Sequence, residues 1–275
     1  MIASSTFSAT DGDAYERQMG RWSRRLAVLF LDFVCFDGGR RILDLDCGTG
    51  SLTRALAGRY AASRIVGLDV SDAYVDHARR GISDPRIEFR VGDACSVPFP
   101  DGRFDGVLSM LVLPFVPNTA KAVAEMRRVA RSGAVVAAAS WDARGGCVAQ
   151  RLFLDTAAVL DPAADVLRIE HCTRPTTRPG ALAAVWREAG ILDIRETALT
   201  IRMEFADFSD YWGPYLTGQG PAAEYVGRLG ASAIARLREH VRRAYLDGEA
   251  DGPRSYAATA WAVRGTNPER PTPIR

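Results

Sequence analysis

The chain has 275 residues, of which 47% are hydrophobic and 25% are charged, and this is the composition of an ordinary globular protein. Its length is sufficient for one α/β domain with an additional lobe. The formal net charge of only +2 gives no electrostatic case for binding nucleic acid or an anionic membrane surface.

Targeting and metal-binding patterns are weak along the chain. The first ten residues are polar and show no signal-peptide pattern. The apolar run at 26–36 contains Asp32 and is far shorter than the roughly 20 residues that span a bilayer. The five cysteines include no C-x-x-C pair, and the three histidines lack the spacing of metal ligands. We therefore expect a cytoplasmic protein with free thiols, no membrane span and no metal site.

The N-terminal segment predicts helical structure. Residues 1–12 are expected to be disordered, whereas residues 13–36 carry apolar side chains at helical spacing. Tyr15, Met19 and Trp22 lie at i, i+4 and i+7, on one face of such a helix. That face either packs on the core or acts as a lid over a ligand.

The next segment predicts a strand, a tight turn and a helix. The strand is expected at 41–46 and the helix at 51–59, with Gly48-Thr49-Gly50 between them. The two glycines allow the backbone to turn and to approach a ligand without a Cβ in the way. Backbone N–H groups at the helix N-terminus then face the ligand, although an ordinary βα turn has the same pattern.

Acidic residues follow the ends of the neighbouring strands. Asp69 ends a strand expected at 64–69 and follows Gly50 by 19 residues, close to the roughly 20 typical of an acid that binds ribose hydroxyls. Asp93 follows a strand expected at 86–91. Because the carboxyl ends of parallel strands meet at one edge of a sheet, Asp44, Asp69 and Asp93 are expected together there. The spacing indicates a nucleoside ligand.

The glycine pattern narrows the ligand class further. The sequence contains neither G-x-G-x-x-G nor G-x-x-x-x-G-K-[ST], so a bound pyrophosphate is disfavoured. Three carboxylates would repel phosphates, but they suit a ligand with an ammonium, a sulfonium and a neutral ribose.

Strands and helices alternate along the rest of the chain. Further strands are expected at 104–109, 134–140, 193–204 and 255–264, and further helices at 72–80, 118–130, 145–170, 178–189, 206–216 and 221–246. This alternation predicts a parallel sheet with helices on both faces. The apolar segment 110–116 is expected to line a pocket or to pack under the C-terminal lobe. Core packing is favoured over a pocket wall for the aromatic set Phe205, Phe208, Tyr211, Trp212 and Tyr215.

These motifs resemble the class I S-adenosylmethionine-dependent methyltransferases, and more narrowly their small-molecule group. The resemblance covers most of the chain and rests on Tyr15 to Ser23, 42–50, Asp69, Gly92-Asp93-Ala94, Phe104-Asp105 and Trp212 to Pro221. It implies a Rossmann-like, doubly wound α/β fold with a seven-stranded sheet, mostly parallel with an antiparallel C-terminal strand. It also implies N-terminal lid helices at 1–36, a cofactor-binding core at 37–142, and a C-terminal part at 143–275 with a helical substrate cap and closing strands.

The resemblance also implies S-adenosyl-L-methionine as the cofactor and assigns residues to it. Asp44 and the glycine turn would hold the methionine moiety, Asp69 the ribose, and Asp93 with Ala94 the adenine edge. Ser109 would face the transferable methyl, and the N-terminal helical face is favoured as a lid. The full set of expected cofactor-binding residues is Tyr15, Met19, Trp22, Asp44, Asp46, Cys47, Gly48, Thr49, Gly50, Asp69, Val70, Gly92, Asp93, Ala94 and Ser109.

The expected reaction is methyl transfer to a small, largely apolar molecule. The sequence assigns no catalytic residue, and His171, Tyr15 and Asp142 are candidates for a general base by residue type alone. No nucleic-acid partner is expected, and a homodimer is left open.

One position departs from the family pattern, which has glycine where this chain has Asp46. The added carboxylate would repel the cofactor carboxylate by on the order of 3 kcal/mol at about 5 Å and an effective dielectric of about 20, unless attraction to the sulfonium or ammonium offsets it. Alternatively, Asp46 turns away and caps the following helix. Asp46 also motivates a second hypothesis, in which the protein keeps the fold but transfers no methyl group and acts as a binding protein or a cyclase-like catalyst. A nicotinamide-dependent reductase is a third and weaker hypothesis.

Overall fold

The computed structural model describes residues 5–7, 9–37, 39–217 and 219–269. Its strands are β1 (Arg41–Leu45), β2 (Arg64–Asp69), β3 (Ile87–Val91), β4 (Phe104–Met110), β5 (Ala130–Trp141), β6 (Leu192–Phe205) and β7 (Arg254–Thr266). Its helices are α1 (Gly12–Tyr15), α2 (Arg21–Val34), α3 (Ser51–Arg59), α4 (Asp72–Gly81), α5 (Thr119–Val129), α6 (Val148–Leu160), α7 (Pro162–Thr173), α8 (Ala181–Glu188), α9 (Phe208–Thr217), α10 (Pro221–Gly227) and α11 (Ala231–Leu246). A π-helical turn, Glu16–Gly20, joins α1 to α2, and a 3-10 turn, Leu113–Phe115, follows β4.

The strands form one sheet in the order β3-β2-β1-β4-β5-β7-β6. Strands β1 to β5 pair in parallel, whereas β7 pairs antiparallel with β5 on one side and with β6 on the other. The central strands β1 and β4 are buried along nearly their whole length, as expected where helices cover both faces of a sheet. The predicted fold class, a mostly parallel seven-stranded sheet with an antiparallel C-terminal strand, is confirmed.

Two apolar cores lie on opposite faces of this sheet, because successive side chains along a strand point to opposite sides. One core contains Trp22 of α2, Leu56 of α3 and Phe153 of α6. The other contains Trp186 of α8, whose indole N–H donates a 3.0 Å hydrogen bond to the Val136 carbonyl in β5. The first core contains residues from all three expected parts of the chain, 1–36, 37–142 and 143–275. The division of the chain at residues 36 and 142 therefore stays a prediction.

Two stretches that the sequence predicts as single helices are divided in the structure. The stretch at 145–170 breaks between α6 and α7, where the Asp161 side chain caps the second helix by accepting from the Ala163 N–H and Pro162 occupies its first position. The stretch at 221–246 breaks at Gly230, between α10 and α11. Within the described ranges, no helix combines the length and the apolar character needed to cross a membrane.

The segment before α1 is ordered where the structure describes it. The Thr6 N–H donates to the Phe115 carbonyl at 2.9 Å, and the Ser71 hydroxyl donates to the Ala9 carbonyl at 2.6 Å. The expectation of disorder is therefore wrong for residues 5–7 and 9–11, because this segment is held by these hydrogen bonds and by contacts of the Phe7 ring with the rings of Tyr15 and Phe115. For residues 1–4 and 8 that expectation lies outside the described residues.

Candidate functional site

The candidate site lies at the carboxyl end of β1. In the sheet order, β2 lies on one side of β1 and β4 on the other. The chain therefore leaves the tips of neighbouring strands in opposite directions and opens a crevice between them, which is where open α/β sheets bind ligands. The glycine turn follows β1 directly and enters this crevice.

The glycine turn has the left-handed backbone that its composition predicts. Gly48 has φ +55° and Gly50 has φ +89°, values that glycine adopts without a steric penalty. The Gly48 N–H donates a 2.8 Å hydrogen bond to the Asp69 carboxylate, which ties the turn to the end of β2. Among the described residues, the nearest atom to a Cβ built on Gly48 belongs to the Tyr74 ring, at 4.0 Å. The space above Gly48 is thus open to a ligand.

Carboxylates are concentrated at the strand ends. Asp44 is only 1% exposed, and one carboxylate oxygen accepts a 2.6 Å hydrogen bond from the Thr53 hydroxyl of α3. Burial raises the pKa of Asp44 to about 7. Burial also raises the pKa of Asp69, against the lowering effect of the hydrogen bonds that it accepts from the Ser71 and Gly48 N–H groups. The crevice is therefore a place where a cation would be bound favourably.

Asp46 is the most constrained of these acids. Its backbone has φ +55°, in the left-handed region that glycine favours. Its carboxylate is buried and accepts no hydrogen bond from any residue in the described part of the chain. Burial, followed by the negative charges of Asp69, Asp93 and Asp44, raises the pKa of Asp46 well above its ordinary range. The alternative that Asp46 caps α3 is wrong, because Gly50 occupies the capping position without a side-chain bond.

Three adjoining cavities surround this crevice. The acid cavity, of about 80 Å³, is lined by Ser5, Phe7, Ala9, Tyr15, Asp46, Gly48, Asp69, Val70, Tyr74, Ala94, Leu111, Val112 and Phe115. The turn cavity, of about 30 Å³, is lined by Tyr15, Ser23, Asp44, Asp46, Cys47, Gly48, Thr49, Ser51, Leu52, Met110 and Val112. Tyr15, Asp46 and Gly48 line both of them, so Asp46 lies where the acid cavity and the turn cavity meet.

The third cavity, here called the aromatic cavity, has a volume of about 150 Å³ and lies under the helices of the C-terminal half. Phe153 of α6 and Tyr215 of α9 line it and stack with their ring centroids 4.0 Å apart. The aromatic set is therefore divided: Phe205, Tyr211 and Tyr215 line the cavity as well as packing in the core, whereas Phe208 and Trp212 only pack in the core.

The apolar segment after β4 forms part of the wall between the aromatic cavity and the acid cavity. Leu111 and Phe115 line both, together with Phe7 and Tyr15. Leu111 has φ +72°, a conformation that is rare and strained for a branched side chain. Such strain is held only where the surrounding structure requires it, and here it lies in the wall between two cavities.

Most of the expected site residues come together in this region. Nine of the fifteen line the acid or turn cavity, whereas Met19 and Trp22 line the aromatic cavity. These nine are Tyr15, Asp44, Asp46, Cys47, Gly48, Thr49, Asp69, Val70 and Ala94.

Four expected residues line none of the three cavities: Gly50, Gly92, Asp93 and Ser109. Ser109 is 1% exposed and its hydroxyl has no partner among the described residues. Alternation along β4 explains this position, because Leu108 and Met110 belong to the core on the cavity side and Ser109 points to the opposite face with Val107. The structure therefore brings Met110, rather than Ser109, to the turn cavity.

One contact in the site was not predicted from the sequence. The Thr49 hydroxyl in the glycine turn donates a 2.6 Å hydrogen bond to the Glu16 carboxylate, and Arg24 pairs with the other oxygen of that carboxylate. Glu16 lies in the π-helical turn that joins α1 to α2. A contact between residues 33 positions apart has no local sequence signal. The motif at residues 15–23 indicated a helical segment that the resemblance favoured as a lid, but not this hydrogen bond.

Comparison with known proteins gives a match in the centre of the chain. Residues 43–138 match the model of a family described as a methyltransferase domain. The chain is 34% identical over 108 residues to 2-methyl-6-phytyl-1,4-hydroquinone methyltransferase of Synechocystis, covering 38% of this chain and 33% of that protein. It is 31% identical over 121 residues to demethylmenaquinone methyltransferase of Symbiobacterium thermophilum, covering 42% of this chain and 47% of that protein. The chain thus spans less than half the length of these curated relatives.

Solved structures share the fold. Phosphoethanolamine N-methyltransferase 2 of Haemonchus contortus, solved in complex with S-adenosyl-L-methionine, superposes with a TM-score of 0.58 at 17% identity. The superposition covers 94% of this chain and 57% of that one. At this identity the likeness concerns the fold alone.

Proposed function

We propose that the protein is an S-adenosylmethionine-dependent methyltransferase acting on a small, largely apolar molecule, since residues 43–138 match the model of a methyltransferase domain. The observation that carries this proposal is the position of Tyr15, which lines the acid, turn and aromatic cavities at once. The two acidic cavities, which we assign to the donor, and the apolar cavity, which we assign to the acceptor, thus meet at one side chain, as transfer between a cationic donor and an apolar acceptor requires.

The residues of the first two cavities fit the methyl donor. Buried polar atoms without a partner among the described residues lie in their walls, namely the hydroxyls of Tyr74, Ser23 and Ser51. The open space above Gly48 adds room for a ligand against the backbone. We assign the turn cavity, with Asp44 and Thr49, to the amino-acid tail, and the acid cavity, with Asp69, to the ribose and the base.

Asp46 fits the same assignment. It lies where the two cavities meet, which is where the sulfonium would stand between the tail and the ribose. A carboxylate in this position attracts a positive charge. Its pKa is raised in the ligand-free protein, and a bound cation would lower that pKa and so favour the ionised carboxylate. Attraction to the sulfonium is thus the proposed reason for an acid at a position where the family pattern has glycine.

When bound, the donor supplies an electrophilic methyl group, so the protein needs to align the reactants and exclude water rather than provide a nucleophile. Tyr15, Phe7, Leu111 and Phe115 form the shared wall and would exclude water from the junction. The N-terminal segment, held to the glycine turn through Glu16, would act as the lid.

Of the three candidates for a general base, we favour His171. Tyr15 lines all three cavities, but burial raises the pKa of its hydroxyl, which disfavours the phenolate form that would act as a base. His171 lines the aromatic cavity, and burial with the positive charges of Arg174 and Arg151 lowers its pKa to about 4, so the imidazole is neutral and able to accept a proton. Asp142 lines none of the three cavities and accepts hydrogen bonds from the N–H groups of Arg144 and Gly145. If the acceptor loses a proton from oxygen, we assign that proton to His171.

Calorimetric titration with S-adenosylmethionine tests the proposal. We expect micromolar binding to the wild type, at least tenfold weaker binding to Asp69→Asn, and unchanged binding to Asp72→Asn, an exposed acid at the start of α4. A labelled methyl donor, incubated with the protein and a metabolite extract, would then identify the methylated product by mass spectrometry. No binding to wild type that is restored by Asp46→Gly would reject methyl transfer and favour the binding-protein or cyclase-like alternative.

That alternative is motivated by Asp46 alone, and the matched relatives give it no support, since both are named methyltransferases. The reductase hypothesis is disfavoured by the methyltransferase domain match. A cytoplasmic location and the absence of a nucleic-acid partner remain our expectations, and a homodimer is left open.

A further inference from the structure

The aromatic cavity has a polar end that an entirely apolar molecule would not use. Three buried polar atoms on residues of its lining have no hydrogen-bond partner among the described residues: Gln150 Oε1, His171 Nε2 and Trp141 Nε1. A buried polar atom without a partner costs on the order of 1–3 kcal/mol, so native structures rarely keep several together. A ligand with acceptor oxygens and a donor group would satisfy them, because the Trp141 N–H donates, Gln150 Oε1 accepts, and His171 Nε2 does either according to its tautomer.

Arg174 adds a positive charge to this end. It is the one arginine in the lining drawn from the described residues, and its guanidinium carbon lies 4.4 Å from the Phe115 ring centroid. No carboxylate in the described ranges forms an ion pair with it, although many other arginines of the chain are paired with acids. Desolvation lowers the pKa of Arg174, and the charge of Glu170 only partly opposes this effect.

The position of Arg174 also suits a ligand that enters from the surface. A groove between α7 and α10 shares Phe115, Leu167, Arg174 and Pro221 with the aromatic cavity. Arg174 therefore lies between the groove and the cavity. Its planar, always charged guanidinium is the side chain best suited to pair with two oxygens of a carboxylate or with a phenolate.

We infer that the acceptor carries an anionic oxygen group, a carboxylate or a phenolate, that pairs with Arg174 while an apolar, ring-containing body lies against Phe153 and Tyr215. At the same polar end the Trp141 N–H donates to the anionic group, and neutral His171 does so in the tautomer that carries its hydrogen on Nε2. Gln150 Oε1 accepts and pairs with an O–H or N–H group of the ligand body. This inference rests on the proposed function only for the statement that the bound molecule is the methyl acceptor. The recognition itself concerns the aromatic cavity.

Matched probes test the inference at pH 7.5, where 2-naphthoate is anionic and 2-naphthylmethanol is neutral with a similar ring. Calorimetric titration of the wild type, with and without S-adenosylhomocysteine, should show at least about tenfold tighter binding of the acid than of the alcohol. The acidic phenol 2,4-dinitro-1-naphthol, ionised at this pH, provides a second anion. The tighter of the two anions identifies the group that Arg174 recognises.

The variants separate recognition from folding. Arg174→Met should abolish the preference for the acid, Arg174→Lys should retain part of it, and Arg178→Met, four residues on and exposed outside the cavity lining, should leave it unchanged. Thermal unfolding of each variant shows whether it remains folded. Equal binding of acid and alcohol by the wild type, failure of the acid to bind, or an undiminished preference in Arg174→Met would overturn the inference.

These outcomes are independent of the proposed function. Loss of S-adenosylmethionine binding with an intact preference for the acid would remove the methyltransferase assignment but leave the anion site. Intact donor binding without the preference for the acid would remove the anion site but leave the methyltransferase assignment.

Discussion

The Thr49 hydroxyl donates a 2.6 Å hydrogen bond to the Glu16 carboxylate and thereby joins the glycine turn to the N-terminal helical segment. The two residues belong to the parts of the chain that we assign to the cofactor and to its lid. Their contact is therefore expected to couple the binding of the donor to the ordering of the segment that covers it.

Glu16→Gln should weaken this coupling. Hydrogen bonds to a charged group contribute roughly 1.5–3 kcal/mol, so we expect about a tenfold loss of S-adenosylmethionine affinity by calorimetry and faster amide hydrogen exchange over residues 12–20. Glu204→Gln, which removes an exposed pairing with Arg25, is the control and should change neither. In a double-mutant cycle, Glu16→Gln and Thr49→Val should not be additive; additive losses would show that the two side chains act independently.

Asp46→Gly should stabilise the ligand-free protein. Glycine relieves the left-handed backbone at φ +55°, by roughly 1 kcal/mol, and the substitution also removes a buried carboxyl without a hydrogen bond. Asp46→Ala is the matched comparison, because it removes the carboxyl but keeps the backbone penalty. Urea unfolding should rank the glycine variant above the alanine variant, and equal stability of the two would contradict a backbone origin of the effect.

The stability of the ligand-free protein should fall as the pH rises from about 4 to about 7. Because the pKa of Asp44 is raised to about 7, the folded protein keeps a proton that the unfolded chain has already released in this range. One such proton corresponds to about 1.4 kcal/mol per pH unit, and the loss should level off above pH 7. Urea unfolding at several pH values measures this slope against Asp44→Asn, which cannot titrate there. Parallel slopes for the two proteins would exclude Asp44 as the source.

Tyr15→Ala should open the wall that the three cavities share, whereas Tyr15→Phe should not. The phenylalanine variant keeps the ring that lies 5.2 Å from the Tyr74 ring, and the alanine variant removes it. We expect at least tenfold weaker S-adenosylmethionine binding for the alanine variant and near wild-type binding for the phenylalanine variant. Weak binding by both would instead assign the effect to the hydroxyl.

The sheet and the glycine turn were predictable because their signals are local. The strand at 64–69 and the helix at 51–59 have the predicted bounds, and Ser71 caps α4 as its position before Asp72 indicates. The division of 145–170 also had a local signal in Asp161-Pro162, a typical helix start.

The rest of the site depended on contacts between distant residues. Ser109 lies on the opposite face of β4 from the cavities, which could be derived only once the face of each strand was known. The ordering of residues 5–7 depends on Phe115, more than a hundred positions away. The polar end of the aromatic cavity likewise assembles from Trp141, Gln150, His171 and Arg174 only through packing of α6 and α7.

The interior position of β7 has a consequence for how the chain reaches its native state. Strand β7 is the last of the seven in sequence, yet it is hydrogen-bonded along both sides, between β5 and β6. During synthesis on the ribosome, the edges of β5 and β6 that pair with β7 therefore stay unpaired until residue 266 has left the exit tunnel. A chaperone that shields exposed strands would bind the chain during this interval. A premature stop before residue 254 would leave both edges unpaired permanently.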